Sequence, residues 1–225
     1  GLVILLKNYD FRMQPARLSK WNTLLQMMYI ASITGAVAFA LSGFLSGARK
    51  KLDIMGVFIL AFLTANGGGV IRDLLVDRPP AILLSTQPFW IAGGVTLAAW
   101  FFRLHRLETI ERRWVFVICD AVGLVAFGIT GALIAIEEQV HFFGFLTLSF
   151  LTATGGGILR DLLVNNVPEV LHSGFYGSVA ILLSIVIYLL HIFEFLNPLS
   201  LLSVFILFLS LRLIAYRFDW ELPKL

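Results

Sequence analysis

The sequence predicts an all-α integral membrane protein. Seven transmembrane helices form two inverted three-helix repeats plus a seventh helix, with helices 2 and 5 broken at glycines. Three observations lead there. The 225 residues are 59% apolar and only 14% charged, with a mean hydropathy of +0.89, against about 45–50% and 25% in soluble domains. Seven apolar stretches approach the roughly 20 residues that cross a bilayer, at 24–46, 54–76, 86–102, 114–136, 142–164, 174–193 and 198–216. The segment FLTANGGGVIRDLLV at 62–76 returns as FLTATGGGILRDLLV at 150–164, an offset of 88.

In chain order, residues 1–23 read as a mobile or interfacial extension. The run Leu2 to Leu6 is too short to span, Lys7, Arg12, Pro15, Arg17 and Lys20 interrupt the stretch after it, and the pattern is not that of a signal peptide. Met27 and Met28 are candidate start residues. Residues 24–110 form the first repeat, 111–196 the second, and 197–225 the seventh helix with a cytoplasmic tail. In the first span Ala36, Ala40, Gly43 and Gly47 make a stripe of small residues suited to close helix contact. Asp53 opens the second span as a helix N-terminal acid. Trp90, Trp100, Trp114 and Trp220 lie near span ends, where an interfacial belt places them. The Lys and Arg bias of the short loops orients the chain with its N-terminus outside and its C-terminus cytoplasmic. Arg49, Lys50, Lys51, Arg103, Arg106, Arg112, Arg113, Arg217 and Lys224 gather on the inner side, while the outer side holds Arg78, the basic residues of the extension, and Glu137 and Glu138 without a basic neighbour.

Held without gaps, the offset also pairs Gly35, Val37, Ala38, Phe39 and Gly43 with Gly123, Val125, Ala126, Phe127 and Gly131, and Pro80, Leu83 and Ser85 with Pro168, Leu171 and Ser173. A unit with an odd number of spans inserts its second copy upside down, relating the halves by a pseudo-two-fold axis in the membrane plane. Such halves place a transport path between them, and Gly-interrupted spans at matching positions point to it.

Here those positions are Gly67, Gly68, Gly69 and Gly155, Gly156, Gly157. Three successive glycines, each costing about 1 kcal/mol in a helix relative to alanine, invite a break, and a break in hydrocarbon must line a cavity or lie buried in protein. Carbonyl ends there suit a dehydrating cation and N–H ends a carboxylate, with Thr64, Asn66, Thr152 and Thr154 adding neutral polar groups. The competing reading is that the triplets only permit close helix packing. Arg72, Asp73, Arg160 and Asp161 come just after the triplets, and ionisable residues inside a span are functional candidates by default. Each aspartate would sit in the first turn of a half-helix; each arginine either serves the path or snorkels to the headgroups. Asp120, matched by Ser32 in the first copy, reads as a pathway carboxylate or a helix-start residue.

Other classes fall away. A formal charge of +3 spread among apolar blocks is no nucleic-acid footprint. The lone Cys119 cannot form an intrachain disulfide and reads as a packing residue. No enzyme motif is present: Arg72 stands where a dinucleotide fingerprint needs glycine, and Walker A, nucleophile-elbow and metal-ligand patterns are missing, so neither cofactor nor metal is implied. His105, His141, His172 and His191 lie near loops or helix ends and read as interfacial.

Seven spans, an inverted duplication, and GGGVIRDLL with GGGILRDLL in the second span of each half together resemble the prokaryotic TRIC-type family. These are the trimeric intracellular cation channels and their bacterial relatives, also classed as glycine-transporter domain or UPF0126-like membrane proteins, and the resemblance covers roughly residues 28–218. It implies a homotrimer in a prokaryotic inner membrane, surrounded by lipid, each subunit passing potassium or other monovalent cations through its own pore lined by Gly-kinked helices 2 and 5. The lysine-containing inositol-lipid motif of animal members has no match in span 2 or 5. The alternative function is secondary transport of glycine or another small neutral amino acid.

Overall fold

A computed structural model describes residues 15–106, 109–172 and 175–220. The expected extension before Pro15 and the tail after Trp220 fall outside the described residues. Among the described residues seven helices of 15 residues or more succeed one another: α1 Pro15–Arg49, α2 Ile54–Leu75, α3 Gln87–Phe101, α4 Thr109–Glu137, α5 Phe142–Leu163, α6 Tyr176–Ile192 and α7 Pro198–Arg217. One-turn helices at Ala81–Leu84 and Glu169–His172 precede α3 and α6, and a 3₁₀ turn at Leu104–Arg106 comes after α3. Among the described residues five stretches are long and apolar enough to cross a membrane: Asn22–Arg49, Ile54–Leu75, Arg113–Glu137, Phe142–Leu163 and Pro198–Arg217. The third helix of each repeat is shorter, 15 residues in α3 and 17 in α6. At about 1.5 Å per residue neither covers a hydrocarbon core of about 30 Å. α1 begins at Pro15, so the residues from Pro15 to Thr23 continue the first span as helix.

The duplication recurs in the backbone. α2 and α5 begin and end at positions 88 apart, as do the two one-turn helices. Asp53 caps α2 by accepting from Gly56 N at 2.7 Å, and His141 Nδ1 caps α5 by accepting from Gly144 N at 3.2 Å. The turns match as well: Lys51 and Gln139, then Asp77 and Asn165, all have positive φ.

α1, α2, α4 and α5 form the centre: α1 packs on α4, α2 on α5, and each helix also on its sequence neighbour. Phe39 and Phe127, equivalent residues, stack with ring centroids 5.4 Å apart. Gly35 faces the Phe127 ring and Gly123 the Phe39 ring. Equivalent residues touching one another in this reciprocal way mark the pseudo-two-fold axis. α3 packs on α1 and α2 as α6 packs on α5 and α4, and the unpaired α7 covers α4 and α6. That extra cover makes the halves unequal: 83% of the apolar window of α4 is buried, against 33% for α1.

The break expected at the glycine triplets is absent. α2 and α5 are helical without interruption through Gly67–Gly69 and Gly155–Gly157, and no described glycine has positive φ. The energies explain it. Glycine costs a helix about 1 kcal/mol per residue, whereas each backbone group freed in hydrocarbon costs several.

Candidate functional site

The triplets lie where α2 crosses α5. A Cβ on Gly68 would overlap the carbonyl oxygen of Thr152, and one on Gly156 would overlap that of Thr64, a pair of contacts related by the 88-residue offset. A Cβ on Gly155 would stand 3.1 Å from Gly68 Cα, and one on Gly67 would overlap the Leu159 side chain. The two helices therefore touch backbone to backbone, a crossing only glycine allows. Gly69 is different: the nearest atom to a Cβ there is Arg72 Nη2 at 3.8 Å. The stripe on α1 behaves as its spacing indicates, with Gly43 against Ala61, Thr64 and the Leu60 carbonyl, and Gly47 against Val57.

The neutral polar residues bond to their own helices. Thr64 and Thr152 hydroxyls donate to the carbonyls of Leu60 and Leu148, each at 2.6 Å. Asn66 Nδ2 donates to Phe62 O and Thr154 Oγ1 to Phe150 O, each at 2.8 Å. This bonding one turn back is how Ser, Thr and Asn satisfy themselves inside an uninterrupted helix.

The charged residues divide into two unequal sites. Near the end of α5, Arg160 is wholly buried, with Asp120 1% and Asp161 5% exposed. Arg160 Nε donates to Asp161 Oδ1 at 2.9 Å, and Nη1 to Ser42 Oγ on α1 at 3.1 Å and to Asp120 Oδ1 on α4. Its guanidinium lies 4.5 Å from the centroid of the Phe116 ring. Burial excludes snorkelling for Arg160, and Asp120 sits well inside α4 rather than at a helix start. Near the end of α2, Arg72 Nε and Nη2 donate to Asp73 Oδ1 at 2.9 and 2.7 Å, and its side chain is 12% exposed.

Because the helices are continuous, Asp73 and Asp161 lie in last turns rather than first turns, where the helix dipole opposes a carboxylate. Each is held there twice over, by its neighbouring arginine and by a backbone N–H eight residues on. Ala81 N donates to Asp73 Oδ2 at 3.2 Å, and Glu169 N to Asp161 Oδ2 at 3.0 Å. The aspartates thus clasp the loops that lead into the one-turn helices.

Sequence reasoning missed four members of the larger site: Ser42, Glu169, Tyr176 and Arg212. From α7, Arg212, 4% exposed, lies with its guanidinium 4.7 Å from the Tyr176 ring centroid, and its Nη2 donates to Glu169 Oε2 at 3.5 Å. Burial pushes the Glu169 carboxyl above its ordinary range, the Asp120 charge adding to this and the Arg160 and Arg212 charges opposing it. Asp120 Oδ2, Arg160 Nη2, Tyr176 Oη and Arg212 Nε find no hydrogen-bond partner among the described residues. Beside this cluster opens a cavity of about 730 Å³ lined by Arg49, Lys50, Phe116, Asp161, Asn165, Asn166, Val167 and Glu169. At the opposite end of the bundle, Arg78 Nη1 meets Glu137 Oε2 at 3.2 Å and Nη2 meets Glu138, supplying the basic neighbour those glutamates lack in sequence.

An inverted-repeat bundle of apolar helices with buried ion pairs in its spans is a polytopic membrane protein, and comparison with known proteins makes the class specific. A family model described as "Glycine transporter" matches residues 29–105 and again 117–192, once in each half. The UPF0126 membrane protein YvgT of Bacillus subtilis is 33% identical over 195 residues, covering 87% of this chain and 95% of its own. A UPF0126 membrane protein of Deinococcus radiodurans is 39% identical over 151 residues, 67% of this chain and 69% of its own. Among solved structures, a prokaryotic TRIC channel in 0.5 M KCl superimposes with a TM-score of 0.81 at 31% identity, over 88% of this chain and all of that one. The TRIC trimeric intracellular cation channel orthologue from Rhodobacter sphaeroides gives 0.80 at 29% identity, over 86% and 98%. The chain belongs to this glycine transporter family of membrane proteins, the UPF0126 proteins among them.

Proposed function

We propose that the protein is a monovalent cation channel, passing potassium, with a pore inside each subunit lined by α2 and α5. The subunits form a homotrimer in a prokaryotic inner membrane, N-terminus outside and C-terminus cytoplasmic. The observation that carries the reading is the Arg160 cluster: a guanidinium with two carboxylates, buried between α1, α4 and α5 and opening on a cavity of about 730 Å³. Charges are kept at such cost in a membrane where they serve a polar path. Similarity to solved TRIC cation channels over 86–88% of the chain supports the same conclusion.

With Arg49, Lys50, Arg103, Arg106, Arg113 and Arg217 at the cavity end of the helices, and Arg78 at the other, the positive-inside rule makes the cavity the cytoplasmic mouth. A cation entering it meets the Asp161 and Glu169 carboxylates and the Asn165 and Asn166 amides. Beyond lie Asp120 and Arg160, then the crossing of α2 and α5, where backbone contact at Gly68 and Gly156 closes the way. Conduction requires the two helices to part there. Gly67, Gly69, Gly155 and Gly157 adjoin the crossing, Thr64 and Thr152 stand at it with their carbonyls against Gly156 and Gly68, Asn66 and Thr154 come two residues before those glycines, and Arg72 with Asp73 takes the corresponding place toward the outer end.

Carriage of glycine or another small neutral amino acid is the second reading, favoured by the lining of the cavity, where cationic, anionic and amide groups face one space as a zwitterion requires. One experiment separates them: purified protein in a planar bilayer under a potassium gradient, recorded before and after glycine is added to one side. Unitary currents that reverse near the potassium potential and ignore glycine are expected. They disappear in Gly68→Leu and Gly156→Leu while insertion is retained. A silent bilayer together with glycine-dependent vesicle uptake refutes the channel.

A further inference from the structure

We infer that Arg212, on the unpaired helix α7, is a specificity-determining residue, setting with Glu169 the net charge a cation meets at the cytoplasmic mouth. The inference rests on the cation-path reading above.

Five formal charges from four elements form one cluster: Asp120 on α4, Arg160 and Asp161 at the end of α5, Glu169 in the one-turn helix and Arg212 on α7, the last lying over Tyr176. Three carboxylates against two guanidiniums leave one negative charge. Arg49 and Lys50 line the same cavity but are exposed, so solvent screens their charges more than those of the buried cluster. The first repeat has nothing comparable. Ser32 replaces Asp120, Ala81 replaces Glu169 and Pro88 replaces Tyr176, no helix among the described residues packs on it as α7 packs on α4 and α6, and Arg72 with Asp73 sums to zero. The net charge of the second site is thus set by groups added to the repeat, and the one cation among them is Arg212.

Arg212 is poorly explained as a structural clamp. It places a guanidinium, 4% exposed, inside an apolar span, a costly position. In return it lies over the Tyr176 ring, a contact that fixes no direction, and makes one hydrogen bond at the long limit, 3.5 Å, to a carboxylate whose side chain is 28% exposed, while its Nε is left without a partner among the described residues. A clamp would be bidentate and close to 2.8 Å. Its charge, rather than that bond, distinguishes the site.

Role and structure make opposite predictions for this pair. Losing either member breaks the same hydrogen bond, so a structural pair gives two variants that change alike. If charge is the role, E169Q takes the site from −1 to 0 and R212Q from −1 to −2, and they diverge. At an effective dielectric near 20, one charge at about 10 Å changes cation occupancy about tenfold.

The test is the reversal potential and unitary current in planar bilayers under a KCl gradient at low ionic strength. R212Q is expected to raise the preference for potassium over chloride and E169Q to lower it, each by several-fold, with E169Q/R212Q returning toward wild type. R212K, which keeps the charge, retains the wild-type selectivity, and the divergence fades in concentrated salt. Parallel changes in E169Q and R212Q, or an R212Q selectivity unchanged at low salt, overturn the inference while leaving the channel standing. If R212Q does not fold, E169K at the partly exposed partner decides the matter: it must reduce cation preference beyond E169Q, and an unchanged selectivity overturns the inference. A wild type silent under every condition refutes the cation path and this inference with it.

Discussion

Replacing Gly156 by alanine tests whether the triplets exist for the α2–α5 crossing. The added methyl would overlap the Thr64 carbonyl oxygen and stand 2.9 Å from Phe39 Cδ2. The oxygen belongs to helix backbone and cannot swing aside, so the helices must separate by something near 1 Å. Overpacking of this kind costs about 1–3 kcal/mol, and replacing a helical glycine returns up to about 1 kcal/mol. Gly156→Ala is therefore expected to destabilise by about 1–2 kcal/mol, and Gly68→Ala, its two-fold equivalent, by a similar amount. Gly69→Ala and Gly94→Ala are the controls. The first has its nearest neighbour at 3.8 Å and the second has nothing within 4 Å, so both gain up to about 1 kcal/mol. A gap of about 2 kcal/mol corresponds to roughly 4–8 °C in melting temperature for a chain of this size, read in detergent by the near-ultraviolet circular dichroism of the tryptophans. The double variant Gly68→Ala/Gly156→Ala costs less than the sum, because the first methyl already parts the helices for the second. Equal melting of Gly156→Ala and Gly69→Ala refutes the crossing as the reason for the triplets.

Asp120→Asn withdraws one of two carboxylates from a fully buried arginine and is expected to destabilise by about 3 kcal/mol or more; melting within about 2 °C of wild type contradicts it. Arg78→Ala removes ion pairs whose partners are 11% and 32% exposed, and by melting in low and high salt it is expected to cost less than about 1 kcal/mol, the loss shrinking as salt rises. The raised Glu169 carboxyl takes up a proton above the ordinary carboxylate range, so mild acidification removes one negative charge from the cavity. Potassium current should fall as pH drops on that side, and E169Q should abolish that step; a wild-type current that stays flat as the pH is lowered from neutrality into the ordinary carboxylate range removes Glu169 from the path.

The periodic parts of the fold are legible in the sequence and the pairing of surfaces is not. The 88-residue offset and the starts of α2, α5 and α7 at Ile54, Phe142 and Pro198 come from the repeat and from apolar runs bounded by Asp53, His141 and Asn197. Hydropathy finds the spans at 24–46 and 114–136, against Asn22–Arg49 and Arg113–Glu137, but not the helical turns that precede them in α1 and α4. It stops at the first charge, whereas backbone hydrogen bonds continue into the interface, carrying α4 back through Arg113, Arg112 and Glu111 to Thr109. The triplets read as breaks because propensity weighs each residue alone. That Gly68 and Gly156 oppose the Thr152 and Thr64 carbonyls is a property of the assembled pair. Arg160 and Asp120 are each legible as charges in spans, but not as partners, being 40 residues apart on different helices. Arg212 is open to the same rule, a charge inside an apolar span. Glu169 carries no local signal, since its role comes from what α7 brings to it.

The two halves are alike where the backbone needs them to be and unlike where charge is concerned, and the difference has a direction. Symmetry is kept at the caps, the left-handed turns, the Phe39–Phe127 stack and the glycine crossing, all of which fix how the copies meet. It is lost at Ser32 against Asp120 and at Ala81 against Glu169, and on the face of the second copy covered by α7. An inverted pair with identical charges would present the same field to an ion from either side. Here the buried pair toward one end, Arg72 with Asp73, sums to zero, with Arg78 against Glu137 and Glu138 nearer the surface beyond it, whereas the buried cluster toward the other end is net negative beneath a cavity. A cation path through such a molecule conducts unequally in its two directions, more easily for cations entering from the Glu169 side. Current–voltage curves in symmetric dilute KCl should therefore rectify, and should straighten when E169Q removes the excess charge; a wild-type curve already linear in dilute salt would mean that the path does not pass the cluster at all.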